Sequence, residues 1–398
     1  MVKRIGILTG GGDAPGLNAV IESATRSAIH EGWEIDGVLR GWEGLILGNF
    51  MPLRISDVEG AHSDSGTLIQ TSRTNPYNFT GYIDGQHFVR TNVSARVVEN
   101  AAKKGLEGLI VIGGDDTLSP IPKLIKDYGS DIVLVGVPKT MDGDLQVYSL
   151  GLDNAINRAK EFIDRFKPVL SANGNIGIIE LFGRHVGRVT FKAGIAAGAD
   201  VILIPEVPVD IDYLADFIAQ RYDERAKRNN GVSYVLIAVA EGTRHPTTHE
   251  EVYQTPGEDS YGHGKLGGIG DKIALLIQER LAKDQRILRH ISGLDIKTQR
   301  VTYDLRGGET LYSDSYVGQK LGAAAILAIK NGIQPGMVVV NFNENGQIEA
   351  LPAEDVVKRR HVHIEVLNLF ERFGLYCFGR RPNQELYAPV IFKQGGIQ

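Results

Sequence analysis

The chain has 398 residues, of which 42% are hydrophobic and 23% charged, a size that suits two or three domains and a composition that excludes a disulfide-stapled miniprotein, a disordered chain and a fibrous one. Lys and Arg total 43 against 48 Asp and Glu, a net charge of −5 with no block of one sign, so neither a nucleic-acid footprint nor an anionic-membrane footprint is expected. The single cysteine, Cys377, excludes an intrachain disulfide or a cysteine zinc cluster.

In chain order, short aliphatic runs bounded by Gly or Pro predict strands at Arg4–Thr9, Gly108–Ile112, Ile132–Val137, Gly174–Glu180, Ala199–Pro205, Ser233–Ala240 and Met337–Phe342. Helical spacing falls between them, at Gly16–Glu31, Ser94–Lys104, Leu152–Phe166, Val186–Ala197, Asp210–Lys227, Ile269–Ala282 and Tyr316–Asn331. Strands alternating with helices argue for an α/β protein whose mostly parallel sheets are covered on both faces. Gly48–Tyr82 and Gly242–Gly268 break the pattern and read as loops or a lid. No apolar run approaches the length of a membrane span, and a cytoplasmic protein is expected.

Three strand ends carry polar, glycine-rich loops. The first, TGGGDAPGLN, sets Gly10, Gly11 and Gly12 before a helix, where backbone N–H groups suit phosphate oxygens. The second, GGDDTLS, places Asp115, Asp116 and Thr117 together; one carboxylate suits a helix cap, and the pair suits a metal. The third, PKTMDGD, supplies Lys139, Thr140, Asp142 and Asp144, the cation, hydroxyl and carboxylates that phosphoryl transfer uses. Each loop alone is also explained as a tight turn. Together they mark one ligand edge, because open α/β sheets bind ligands beyond the carboxyl ends of their strands.

GGGDAPGLN, GGDDTLS, PKTMDGD, ELFGRHVGR and ILIPE, in this order from Ile5 to about Gly332, closely resemble the phosphofructokinase family, and most of all its pyrophosphate-dependent 6-phosphofructokinases. The resemblance implies two Rossmann-like three-layer domains: residues 1–150 plus 307–360 for the phosphoryl donor and Mg²⁺, 151–306 for fructose 6-phosphate, and 361–398 as an extension. It implies Asp142 as the base on the 1-hydroxyl and Asp115 as the Mg²⁺ ligand supported by Asp144. Lys139, Arg73, Gly11, Gly12, Asp116 and Thr117 would hold the donor, with Asp116 and Lys139 also in catalytic roles. Thr140, Phe182, Gly183, Arg184 and Glu241 would contact the sugar, Arg184 also facing the transferring group, while Tyr303 and Arg306, the Y-x-x-R element, would hold the 6-phosphate.

ATP-using members resemble this pattern with Gly where this chain has Asp116, so a carboxylate here implies pyrophosphate. Two unit charges about 4 Å apart repel by about 4 kcal/mol at an effective dielectric constant of roughly 20, enough for about three decades of affinity. Glu22 and Arg26 match two arginines of an effector site in regulated members, which implies weak regulation by anionic nucleotides. Asn175 replaces an arginine lent across a subunit interface, and either Lys297 or Arg300 is the second lent cation. The resemblance further implies a homo-oligomer, dimer or tetramer. An ATP-dependent kinase, a lipid or NAD kinase sharing the GGDxT loop, and a noncatalytic sugar-phosphate sensor are the competing readings. His245 and His249 have the spacing of a metal pair, but Pro246 opposes a helix there.

Overall fold

The run Arg4–Thr9 is buried almost throughout, and Gly108–Gly113 is buried at every position; strands hidden on both faces belong at the centre of a parallel sheet. The computed structural model describes residues 3–129, 132–258, 264–341, 347–372, 374 and 376–381. Contacts divide the chain into two units, Met1–Ala155 with Thr255–Lys265 and Tyr303–Arg360, and Ile156–Gln254 with Leu266–Thr302 and His361–Gln398.

The first unit is built on seven strands in the order Ile348–Pro352, Met337–Asn341, Val133–Pro138, Gly108–Gly113, Arg4–Thr9, Glu34–Val38 and Phe50–Pro52. Its inner pairings are parallel and both edge pairings are antiparallel. One face packs Ile7, Ile110 and Val135 on the helices Leu17–His30 and Tyr312–Lys330. The other packs Leu8, Val111 and Val338 on Gly41–Leu47, Ser94–Lys104 and Pro120–Tyr128. Gly318 and Gly322 lie one helical turn apart, and a Cβ on either would strike backbone of Gly16–Ala24, so they set the close approach of the two long helices.

The second unit holds four parallel strands in the order Ile296–Val301, Ile176–Leu181, Val235–Ala240 and Val201–Leu203. The helices Ile211–Arg228 and Ile269–Leu281 cover one face through Leu214, Ile218, Ile273 and Ile277. The segment after residue 360 is not a separate extension: Cys377 bridges Val201, its carbonyl accepts from the Ile202 N–H at 2.9 Å, and Phe378 is wholly buried. Residues 382–398 lie outside the described residues, as do Phe342 and residues 259–263 of the expected loop. Tyr303 and Arg306 group with the first unit, whereas the resemblance implies a boundary after residue 306.

The helix expected at Leu152–Phe166 runs to Asn173 through Pro168. An internal proline costs about 3 kcal/mol, which full burial of Leu170 beyond it offsets in part. Among the described residues, no helix is long and apolar enough to cross a membrane.

Candidate active site

The glycine loop after Arg4–Thr9 is shaped by its neighbours. Gly10 N–H donates to Ile112 O at 2.9 Å and Gly11 N–H to Ser72 O at 3.0 Å, next to Arg73. Gly11 has φ +82°, and the chain there runs so close to other groups that a Cβ on Gly10 would overlap Thr117 and one on Gly12 would overlap Arg306. The Gly11 N–H is thus committed inside the protein and holds the loop to the Arg73 segment. Thr117 also lies beneath the loop, buried, with no partner for its Oγ1. Arg306 donates to Asp13 O at 2.7 Å, which sets it against this same turn.

Lys139 follows the strand Val133–Pro138 and is almost fully buried. Its Nζ donates to Gly10 O at 3.0 Å and Gly12 O at 2.6 Å. Burial, with the charges of Arg306 and Arg73, brings its pKa down to about 7. A phosphate entering beside it would return the proton preference to the cation.

The acids occupy the two neighbouring strand ends. Asp116 N–H donates to Asp115 Oδ1 at 2.9 Å in the short helix Asp115–Leu118 that opens after Gly114. The Thr140 hydroxyl donates to Asp144 Oδ1 at 2.8 Å and accepts from Asp142 N–H at 3.3 Å, so Thr140 braces the loop it was expected to lend to substrate. Burial and then the Asp116 charge push the Asp115 carboxyl up, and burial followed by the Asp142 and Asp115 charges pushes Asp144 up. Carboxylates that disfavour one another's ionisation fit a divalent cation. Among the described residues, no group of three His, Cys, Asp or Glu is arranged to hold a metal.

In the second unit, pairing of Ile176–Leu181 with Val235–Ala240 brings the next loop pair together. Glu241 N–H donates to Leu181 O at 2.9 Å and Gly242 N–H to Gly183 O at 3.1 Å. Phe182 and Glu241 are both largely buried, and Gly183 has φ +147°. The structure thus joins Phe182, Gly183, Arg184 and Glu241 at one strand edge. A Cβ on Gly242 would fall on the Arg184 carbonyl, so Gly242→Ala is expected to displace the Arg184 turn. Its stability should fall by about 1–3 kcal/mol, and its KM for the acceptor should rise at least tenfold with the donor KM unmoved, as thermal melts and initial rates would check.

Glu180, near the end of the same strand, has a structural role that its local sequence does not announce. Its buried carboxylate accepts from Gly268 N–H at 2.9 Å and Gly270 N–H at 2.8 Å, capping the helix Ile269–Leu281, and pairs with Arg300 Nε at 3.2 Å. The only signal in the sequence is an acid closing an otherwise apolar strand. The two lent-cation candidates are both ion-paired. Arg300 is held by Glu180 and Asp271, whereas Lys297, paired with Asp295, lines a groove of about 600 Å³ with Asn175 and Phe166.

Other candidates have plain structural roles. His245 Nδ1 accepts from Thr247 and Thr248 N–H in a turn, and burial pushes the Cys377 thiol up to about 12. Burial opposes ionisation of Glu22, but bonds from His62, Arg26 and the Gly60 N–H hold its carboxyl below the ordinary range.

Residues 4–329 match the family described as Phosphofructokinase. The chain is 36% identical over 360 residues to the pyrophosphate–fructose 6-phosphate 1-phosphotransferase of Amycolatopsis methanolica, across 89% of this chain and 92% of the relative. It is 35% identical over 382 residues to the ATP-dependent 6-phosphofructokinase of Chloroflexus aurantiacus, across 95% and 98% of the two chains. Its fold is similar to the crystal structure of the pyrophosphate-dependent phosphofructokinase from Marinobacter aquaeolei, with a TM-score of 0.70 at 16% identity over 91% of this chain and 86% of that one.

Proposed function

The chain belongs to the phosphofructokinase family, and from that premise we propose that it moves a phosphoryl group from pyrophosphate to the 1-hydroxyl of fructose 6-phosphate, reversibly, giving fructose 1,6-bisphosphate and phosphate. The observation that carries the donor assignment is Asp116, a second carboxylate bonded through its backbone to Asp115 in the turn after Gly114. An α-phosphate of a nucleotide would meet that charge; pyrophosphate ends before it.

Within this reading Asp142 accepts the proton of the 1-hydroxyl as its oxygen attacks phosphorus and the bond to the leaving phosphate breaks. Its value lies in position, which Thr140 fixes through the Asp142 N–H. Lys139 offsets charge on the transferring group, and Arg73, Gly11 and Gly12 line the donor. Thr117 supports the glycine loop from below. Asp115, with Asp144 in support, would hold Mg²⁺, which would supply charge neutralisation at the phosphate oxygens. Phe182, Gly183, Arg184 and Glu241 take the sugar. Tyr303 and Arg306 hold the 6-phosphate, Arg306 also bracing the donor loop, and Lys297 is the cation that a homo-oligomer would lend. A cytoplasmic location completes the reading.

An ATP-dependent kinase is the second reading, favoured by the identity shared with ATP-dependent relatives. The test is turnover of fructose 6-phosphate and Mg²⁺ with pyrophosphate or ATP supplied separately. Pyrophosphate alone should give fructose 1,6-bisphosphate, and product from ATP alone sinks the donor assignment. Because the Lys139 ammonium has a pKa of about 7 in the unliganded protein, the cation is lost as pH rises. The kcat/KM for pyrophosphate should therefore fall above that value by up to about tenfold per pH unit.

A further inference from the structure

Residues 348–360 lie beyond the part of the chain that matches the family, yet they pack on the acid loop. After the edge strand Ile348–Pro352, the segment is anchored by buried Ala353 and Val356. It then bonds the loop after Lys139 at four points: Gln146 N–H donates to Val356 O at 3.2 Å and Arg360 N–H to Asp144 O at 2.7 Å. Gln146 Nε2 donates to Arg359 O at 3.1 Å, and an Arg360 guanidinium N–H donates to Gln146 O at 3.4 Å. This strap carries a half-exposed guanidinium to Asp115, with Arg359 Nη2 lying 3.9 Å from Asp115 Oδ2.

We propose that Arg359 is a donor-site residue of this chain, resting on Asp115 while the metal is away and turning to an oxygen of the pyrophosphate once a divalent cation takes that carboxylate. The contact at 3.9 Å is long and both side chains are partly exposed, so little is lost when it breaks. A guanidinium and a divalent cation on one carboxylate edge repel each other, and the strap holds the Arg359 backbone in place while the side chain moves. The multiply charged phosphate that shares the metal is the nearest anion able to receive a planar fork of N–H donors. The proposal deepens the phosphoryl-transfer reading and rests on it for the identity of the anion.

The test compares wild type, Arg359→Gln, Arg359→Lys and Gln146→Ala in the full chain. Mn²⁺ titrated without substrates and followed by electron paramagnetic resonance should bind Arg359→Gln about threefold tighter, because a competing cation is gone. The KM for pyrophosphate should rise about fivefold in Arg359→Gln and less in Arg359→Lys, with the KM for fructose 6-phosphate unchanged. Gln146→Ala loosens the strap and should lower the melting temperature. An Arg359→Gln protein that matches Gln146→Ala in melting and in both KM values has lost only a structural contact and overturns the proposal, as does unchanged Mn²⁺ affinity or unchanged donor KM. If wild type uses ATP alone, the donor reading fails while Arg359 is judged on the KM for ATP. If neither donor supports turnover, Mn²⁺ binding alone decides.

Discussion

Asp142→Asn should lower kcat by about three decades, within the range usual for a positioned general base, while leaving both KM values within about threefold. The substitution keeps the backbone N–H that donates to Thr140, so the loop is expected to hold its shape. Stability should move the other way. The Asp144 carboxyl is pushed up by burial and then by the Asp142 charge. A folded-state value above the unfolded one means that the group's contribution is fully present in acid and is lost as pH rises through the folded value. Removing the Asp142 charge lessens that loss, so Asp142→Asn should melt higher than wild type at pH 8, by about 1 kcal/mol, with a smaller difference at pH 5. A variant that keeps full turnover removes the proposed base, and one that melts lower at pH 8 removes the electrostatic account of Asp144.

Asp116→Gly is expected to change the donor. Removing the carboxylate should raise kcat/KM for ATP by about a hundredfold, a figure set below the full unit-charge repulsion because solvent and metal screen it. Use of pyrophosphate should fall in the same protein. Asp116→Asn keeps most of the volume and none of the charge, so it separates the two causes: repulsion predicts partial ATP use by the amide, and steric exclusion predicts none. Glycine in the first turn of Asp115–Leu118 costs about 1 kcal/mol of local stability, which thermal melts would register. ATP rates that stay at the wild-type level in both variants would locate donor choice elsewhere.

Fold class and the position of the polar loops at the strand ends were readable because fully buried strands announce themselves. Gly108–Gly113 shows no exposed position, and acids directly after such a run have few structural uses. The strand Glu34–Val38 was not readable. It contains Asp36, a buried carboxylate made tolerable by Lys104 at 3.0 Å, a partner that no local pattern reveals. Ile296–Val301 was missed because an edge strand exposed over much of its length tolerates Lys297, Gln299 and Arg300. The same limit applies to the site. Lys139 and Asp142 were found from composition at a strand end, whereas the helix cap made by Glu180, the bracing by Thr140 and the approach of Arg359 to Asp115 arise from packing between distant segments. The bonds that hold Glu22, from His62 and the Gly60 N–H, likewise come from segments distant in sequence.

The strand order has a consequence for synthesis on the ribosome. Five strands of the seven-stranded sheet emerge before residue 139, but the two that complete it, Met337–Asn341 and Ile348–Pro352, follow the whole of residues 156–302. A nascent chain can close the four-stranded sheet as soon as Val301 clears the exit tunnel, while Val133–Pro138 still waits as an unpaired edge open to chaperones or to aggregation. Translation stalled anywhere between these points should leave a polypeptide whose four-stranded sheet has formed without the Cys377 segment that bonds Ile202, and whose seven-stranded sheet is unfinished.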